Sequence, residues 1–206
     1  MANLNLVMPA DATGDTQAVF DEIVATWGPR RLGPIWGFWG RDPKVLRPIW
    51  TLIKRLMVEP TATPKPYLMA ISLIGAVRTD CPRCVMTHQT ELRGEGMDAE
   101  FIELVRNYEA SAAAGKIDRK LYLALRFGES VWFGTDIDEA DWEEVSAAFS
   151  EEQIFEMVVT ALIESCFSRY GKALARYDES IEWPSENLAA PELRHVVAGR
   201  ATAKDV

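Results

Sequence analysis

The stretch YLMAISLIGAV, residues 67–77, decides the fold class of this chain. Its unbroken apolar character suits either a buried strand or a buried helix, and periodicity alone does not separate the two. We find no second strand-like segment in the 206 residues that could pair with it. Since a strand needs a partner for its backbone groups, we predict a buried helix here. The fold class predicted for the chain is therefore all-α, a helical bundle forming a single domain.

The segments on either side of this stretch carry helix-start signals. Asp42 followed by Pro43 combines an N-cap carboxylate with proline at the first helical position. Ser150 followed by Gln153 has the spacing of a capping box and opens the longest predicted helix. Further helices are predicted from about Thr16 and from residues 98, 118 and either 136 or 138, with a short helical turn in the Trp-rich segment 31–43.

Composition narrows the function classes. A net charge of −9 repels phosphate backbones, so we expect no nucleic-acid partner. We see no run of eighteen apolar residues and no basic leader before an apolar segment, so we expect no membrane span and a cytoplasmic location. In that reducing compartment three cysteines argue against a disulfide scaffold, and a close pair is more often catalytic or metal-binding.

Such a pair lies in TDCPRCVMTH, residues 79–88. If this segment is helical, each residue turns about 100°, which puts Cys81, Cys84 and His88 on one narrow stripe. Cys84 and His88 are four residues apart, the spacing at which helical side chains touch. The cysteines are three residues apart, close enough for a disulfide with modest adjustment. The spacing thus gathers two sulfurs and an imidazole.

The start of a helix favours reactive thiols. We predict that Thr79 or Asp80 caps the motif helix, with Pro82 tolerated in its first turn. Unpaired amides and the helix dipole lower a thiol pKa there, and Arg83 adds positive charge. His88 can take or return a proton near neutral pH. We therefore favour dithiol redox chemistry, in which one sulfur attacks and the other resolves.

The motif has three other interpretations. Haem attachment needs histidine directly after the second cysteine, and Val85 stands there, so this reading is dropped. Zinc needs four ligands, and Cys166 or His195 would have to complete the set. An inert buried trio is the third reading, since free cysteine is a common core residue. Cys166 itself, among apolar residues, is predicted to pack in the core, and His195 to lie solvated in a tail.

The motif and its surroundings resemble a known family. Cys-x-x-Cys-x-x-x-His on an apolar helix, followed by GMDAEFIELV, is similar to the AhpD-like alkylhydroperoxidase family, also called the carboxymuconolactone decarboxylase-like family. GRDPKVLRPIWTLIKRLM and the segment from residue 120 to 174 extend the likeness over about residues 32–174. We accordingly divide the chain into an N-terminal helical extension (1–31), an AhpD-like domain (32–178) and a C-terminal tail (179–206).

The resemblance implies a function and a set of roles. It implies an AhpD-like helical bundle that forms a homo-oligomer (dimer, trimer or hexamer) and reduces hydroperoxides. We expect no cofactor and no metal. Cys84 matches the peroxide-attacking thiol, Cys81 the resolving thiol that forms the redox-active disulfide with it, and His88 the histidine of the proton relay. Electrons would come from a thiol-disulfide donor such as a lipoylated protein.

The chain departs from the family pattern at one position. The family's relay glutamate lies twelve residues before the first cysteine, and Met69 stands there. Glu164, Tyr170 and Glu91 are the candidate residues to substitute for it, and water is the other candidate. Two alternative functions stay open: a carboxymuconolactone decarboxylase-type enzyme acting on a small cyclic acid, and a non-catalytic redox-sensing or ligand-binding helical protein.

Overall fold

The computed structural model describes residues 5–178, except for the side chains of residue 30 and of residues 171–178. The predicted tail, 179–206, and His195 lie outside the described residues. Within them every regular element is helical, which confirms the all-α prediction. The α-helices are α1 Gly14–Trp27, α2 Pro34–Trp39, α3 Pro43–Met57, α4 Lys65–Arg78, α5 Pro82–Gly94, α6 Ala99–Arg106, α7 Tyr108–Ala113, α8 Arg119–Phe133, α9 Glu139–Ala148 and α10 Glu151–Asp178.

Most of the predicted helix starts are confirmed by their hydrogen bonds. Asp98, Asp118 and Asp138 each accept from a backbone N–H three residues on, at 2.7–2.8 Å. Asp138 is therefore the cap of α9, which decides between the two predicted aspartates. The capping box at the start of α10 is complete, since Ser150 Oγ accepts from the Gln153 amide and the Gln153 side chain accepts from the Ser150 amide.

The predicted cap of the motif helix was wrong. Cys81, and neither Thr79 nor Asp80, is the N-cap of α5. Pro82 is the reason, because proline prefers the first helical position and so makes the residue before it the cap. Thr79 instead ends α4, and Asp80 bridges the helices in a left-handed conformation (φ 49°). Aspartate is among the few non-glycine residues that tolerate this conformation.

The described residues form two compact units. The first contains residues up to 54 and those from Tyr170 onward, and the second contains residues 55–169. In the first unit the rings of Trp27, Trp36 and Trp50 meet edge to face or tilted, with centroids 5.1–6.5 Å apart. Glu22 accepts a hydrogen bond from the Trp50 indole at 2.9 Å, so the indole's polar atom is satisfied.

In the second unit α4 is the central helix. Its residues 68–76 are all buried, and it packs against α5, α6 and α8. A helix covered on every side is apolar all round. This explains why the stretch 67–77 lacks an amphipathic pattern and why its periodicity did not separate helix from strand. The C-terminal end of α4 leads directly into the motif.

Two glycines allow α4 and α8 to approach closely. A Cβ added at Gly75 on α4 would overlap the ring of Trp132, and one at Gly128 on α8 would lie 2.6 Å from the Ile71 side chain. Real Cβ atoms do not make such contacts, so a larger residue would push the two helices apart. The close contact bears on the site because Gly75 lies one turn before the end of α4.

Gly75→Ala should destabilise the fold by about 3 kcal/mol, since overpacking a filled core forces side chains and backbone to shift. Gly94→Ala, at the end of α5, is the matched control, because nothing lies within 4 Å of its added Cβ. That control should change stability by less than about 1 kcal/mol. The free energy of unfolding in urea measures both variants, and equal values for the two would contradict the close approach.

Candidate active site

The two motif cysteines are joined in a disulfide at the start of α5. Cys81 is the N-cap and Cys84 lies in the first turn, with their Cα atoms 5.3 Å apart. Cys81 is buried, with 6% of its surface exposed, whereas Cys84 is partly exposed. A reagent from solution therefore meets Cys84 first. The first-turn amides and the helix dipole favour a negative charge on either sulfur.

His88 lies one turn beyond Cys84 and is held between two carboxylates. Its Nδ1 is 2.9 Å from Glu91 Oε2, one turn on along α5. Its Nε2 is 3.4 Å from Glu164 Oε2 on α10. The His88 side chain is 4% exposed, so these contacts lie almost entirely out of water.

This environment sets the charge of the imidazole. Burial on its own would lower the pKa of His88, but the carboxylates of Glu164 and then Glu91 outweigh it and raise the pKa from 6.5 to about 9. His88 is therefore an imidazolium at neutral pH. A protonated histidine beside a thiol can stabilise a thiolate and deliver a proton to a leaving group.

The structure brings together two of the three candidate substitutes for the relay glutamate. Glu91 and Glu164 both contact His88. Tyr170 belongs to the first compact unit, where its ring contacts Phe38 and Trp39 with centroids 4.7 and 6.2 Å away. His88 is thus contacted by carboxylates from α5 and α10, whereas α4 has Met69 at the position of the family's relay glutamate.

Sequence reasoning missed a hydroxyl beside the motif. Ser168 Oγ lies 3.7 Å from Cys84 Sγ. The Ser168 residue is buried, with 1% of its surface exposed. It is four residues after Glu164, on the same face of α10, just as Cys84 is four residues before His88. The pairs 164 with 88 and 168 with 84 are the register of two antiparallel helices. If Glu164 faces His88, the four-residue spacing on α10 predicts that Ser168 faces Cys84. This spacing was the signal available in the sequence.

Cys166 does not take the predicted core position. It is a free cysteine on the exposed surface of α10. The apolar residues around it in the sequence predicted burial, but an exposed apolar stripe that includes Leu162, 51% exposed, runs along this face of the helix. Among the described residues no three metal-ligating side chains are grouped to hold an ion, and no helix is both long and apolar enough to cross a bilayer.

Comparison with solved structures identifies the fold. A peroxidase-related protein from Silicibacter sp. TM1040 superposes with a TM-score of 0.69 at 18% identity, over 85% of this chain and 91% of that one. A peroxidase-related protein from Ralstonia eutropha JMP134, described as an alkylhydroperoxidase AhpD core, gives 0.67 at 16% identity over 83% and 88%. The protein has an AhpD-like fold.

The AhpD-like fold also occurs in an enzyme with another substrate. A cysteine-to-alanine variant of the debrominase Bmp8, in complex with 2,3,4-tribromopyrrole, superposes with a TM-score of 0.71 at 15% identity, over 87% of this chain and 95% of that one. No protein-family model and no curated protein sequence matches the chain. The shared property is therefore the fold, and function has to be argued from the site.

Proposed function

We propose that this protein is a thiol-dependent peroxidase, which reduces hydroperoxides through the Cys81–Cys84 pair. The observation that carries the proposal is the arrangement of the pair: a partly exposed Cys84 is bonded to a buried Cys81, one turn before a protonated His88. An attacking sulfur must be reachable from solution, and a resolving sulfur need only reach its neighbour. The peroxidase-related proteins that share the fold support the same assignment.

The reaction balances with the two cysteines and one external donor. The Cys84 thiolate attacks the outer peroxide oxygen, the O–O bond breaks, and Cys84 becomes a sulfenic acid while the alcohol leaves with a proton. The Cys81 thiol then displaces the hydroxyl, which leaves as water, and the disulfide forms. A dithiol donor reduces the disulfide by exchange and becomes a disulfide itself. One hydroperoxide thus consumes the two electrons of one donor dithiol.

His88 supplies the proton in this scheme. Because Glu164 and Glu91 raise its pKa to about 9, it enters the reaction charged and can protonate the departing alkoxide. It lies four residues from Cys84 on α5, the distance at which helical side chains meet. The carboxylates then favour the return of a proton to the ring, which is the role that a relay glutamate would fill.

The proposal includes an electron donor and a compartment. The donor is a small or protein-bound dithiol such as a lipoylated protein, for which dihydrolipoamide serves as the probe. Such donors are kept reduced in the cytoplasm, which is where we expect the protein to act. The homo-oligomer implied by the family resemblance stays a prediction.

Counting thiols tests the proposal. The reduced protein has three thiols per chain, and one equivalent of cumene hydroperoxide should leave one, that of Cys166. Cys166→Ser is the matched control and should go from two thiols to none. Addition of dihydrolipoamide should restore the starting count and allow many turnovers. A count that stays at three after peroxide addition would contradict the proposal.

The Bmp8 comparison favours reductive debromination as a second candidate. Two thiols could replace a carbon–bromine bond by carbon–hydrogen, releasing bromide and a proton and leaving a disulfide, with His88 as the acid. A second arm of the thiol count, with 2,3,4-tribromopyrrole in place of peroxide and bromide as the product measured, separates the candidates. Thiols unchanged in both arms would favour the decarboxylase-type or non-catalytic alternative.

A further inference from the structure

A chain of two hydroxyls connects the end of α4 to Cys84. Thr79 Oγ1 is 2.7 Å from the Gly75 carbonyl oxygen and 3.3 Å from that of Ala76. Ser168 Oγ is 2.9 Å from Thr79 Oγ1 and 3.7 Å from Cys84 Sγ. Ser168 is 1% exposed, whereas Thr79 and Cys84 are half-buried. The Ser168 hydroxyl therefore makes its hydrogen bonds with protein groups rather than with water.

The proton positions of the Thr79 and Ser168 hydroxyls follow from the numbers of hydrogens and acceptors. Carbonyl oxygens only accept, so the single hydroxyl hydrogen of Thr79 is donated to Gly75. Thr79 Oγ1 is then an acceptor, and the hydrogen between the two hydroxyls belongs to Ser168. This hydrogen has two acceptors within reach, Thr79 Oγ1 and Cys84 Sγ. A disulfide sulfur is a weak acceptor, so in the oxidised protein the hydrogen points at Thr79.

Reduction of the disulfide changes which acceptor the Ser168 hydrogen favours. When a donor dithiol reduces the Cys81–Cys84 disulfide, the donor is itself oxidised to a disulfide. The Cys81–Cys84 pair becomes one thiol and one thiolate, and a proton is released. A thiolate accepts a charge-assisted hydrogen bond, which is roughly twice as strong as a neutral one. We propose that the Ser168 hydroxyl then turns from Thr79 to Cys84, and that this hydrogen bond makes Cys84 the thiolate of the pair.

The charges around Cys84 leave a place for such a donor. The His88 imidazolium lies one turn away, but its charge is shared with the carboxylates of Glu91 and Glu164. Arg83 and Asp80 lie on the motif segment with opposite charges. On α10, Arg169 follows Ser168, with its guanidinium 3.4 Å from the Trp132 carbonyl oxygen. Because these charges are of opposite sign, they do little to distinguish the two cysteines. The neutral Ser168 hydroxyl is aimed at one sulfur and distinguishes them more clearly.

The inference deepens the proposed function, and rests on it for the thiolate's use, but it is measured on the thiols alone. Trypsin cleaves after Arg83, so Cys81 falls in the peptide 79–83 and Cys84 in the peptide 84–93. The rate of alkylation by iodoacetamide, followed by mass spectrometry of each peptide from pH 4 to 10, gives a separate pKa for each thiol. No turnover is needed.

Ser168→Ala should raise the pKa of the Cys84 thiol by about one unit, with about 10-fold slower alkylation at pH 7, and move that of Cys81 less. Ser165→Ala is the matched control: Ser165 is equally buried one turn earlier on α10, donates to the Leu162 carbonyl oxygen, and should leave both thiols unchanged. Thr79→Val should lower the Cys84 pKa, because it removes the competing acceptor and leaves the Ser168 hydroxyl in place.

An unchanged Cys84 profile in folded Ser168→Ala would overturn the inference. So would a Thr79→Val protein with a raised Cys84 pKa, which is the deciding measurement should Ser168→Ala fail to fold. The two proposals can fail separately. If Ser168 controls the Cys84 pKa and hydroperoxide leaves all three thiols intact, the peroxidase proposal fails alone.

Discussion

Cys84→Ser should lower hydroperoxide turnover by at least about 1,000-fold, the scale on which loss of a nucleophile acts. A serine hydroxyl is not ionised at neutral pH, and neither the first-turn amides nor the His88 imidazolium can make it a comparable nucleophile. The buried Cys81 cannot take over, because peroxide would have to reach a residue that is 6% exposed. Peroxide-dependent oxidation of dihydrolipoamide measures the loss.

The other two cysteines provide the controls for this result. Cys81→Ser should still react once with hydroperoxide, because the attacking sulfur is intact, but the sulfenic acid has no partner and turnover stops. Dimedone, which labels sulfenic acids, should mark Cys84 in that variant. Cys166→Ser should keep full turnover. Labelling of Cys81 in the Cys84→Ser protein, with no labelling of Cys84 in the Cys81→Ser protein, would mean that the two roles are exchanged.

Local signals carried most of the prediction of the fold. Caps such as Asp118 and the box at Ser150 act within one turn, so the sequence shows both partners of the hydrogen bond. The motif cap failed for a local reason as well, since Pro82 outweighs the capping preference of Thr79 and Asp80. The helix at 67–77 was predicted only because the sequence shows no second strand-like segment, since an all-round apolar segment has no periodicity to read.

The candidate site divides in a similar way. The stripe on α5 follows from helical spacing, which the sequence shows directly. Contacts from α10 depend on how two helices distant in sequence are aligned, so Glu164 and Tyr170 were equal candidates and Ser168 went unnoticed. Cys166 shows the same gap: its neighbours are apolar, but which face of α10 is covered depends on packing that the sequence does not show.

The carboxylates around His88 give the second large effect. In Glu91→Gln/Glu164→Gln the contacts that raise the pKa are lost while burial, which lowers it, remains, so the His88 pKa should fall from about 9 to below 6.5. At pH 8 the ring is then neutral and cannot donate a proton, and turnover should fall by about 100-fold. The chain has two histidines, so NMR titration of the imidazole signals, with His195→Gln as the assignment variant, measures the pKa directly.

The same change should reverse the dependence of stability on pH. In the wild type the raised pKa makes the ion pairs fully stabilising below pH 6.5, and that contribution, about 3 kcal/mol, is lost as pH rises through 9. In the double variant the buried ring is neutral, so its contribution is lost as pH falls through 6.5, where the unfolded histidine gains a proton. Glu152→Gln, an exposed carboxylate on α10, should follow the wild type. Urea unfolding at pH 5.5, 7.5 and 9.5 distinguishes the two signs, and parallel curves for wild type and double variant would show that the carboxylates do not hold the charge on His88.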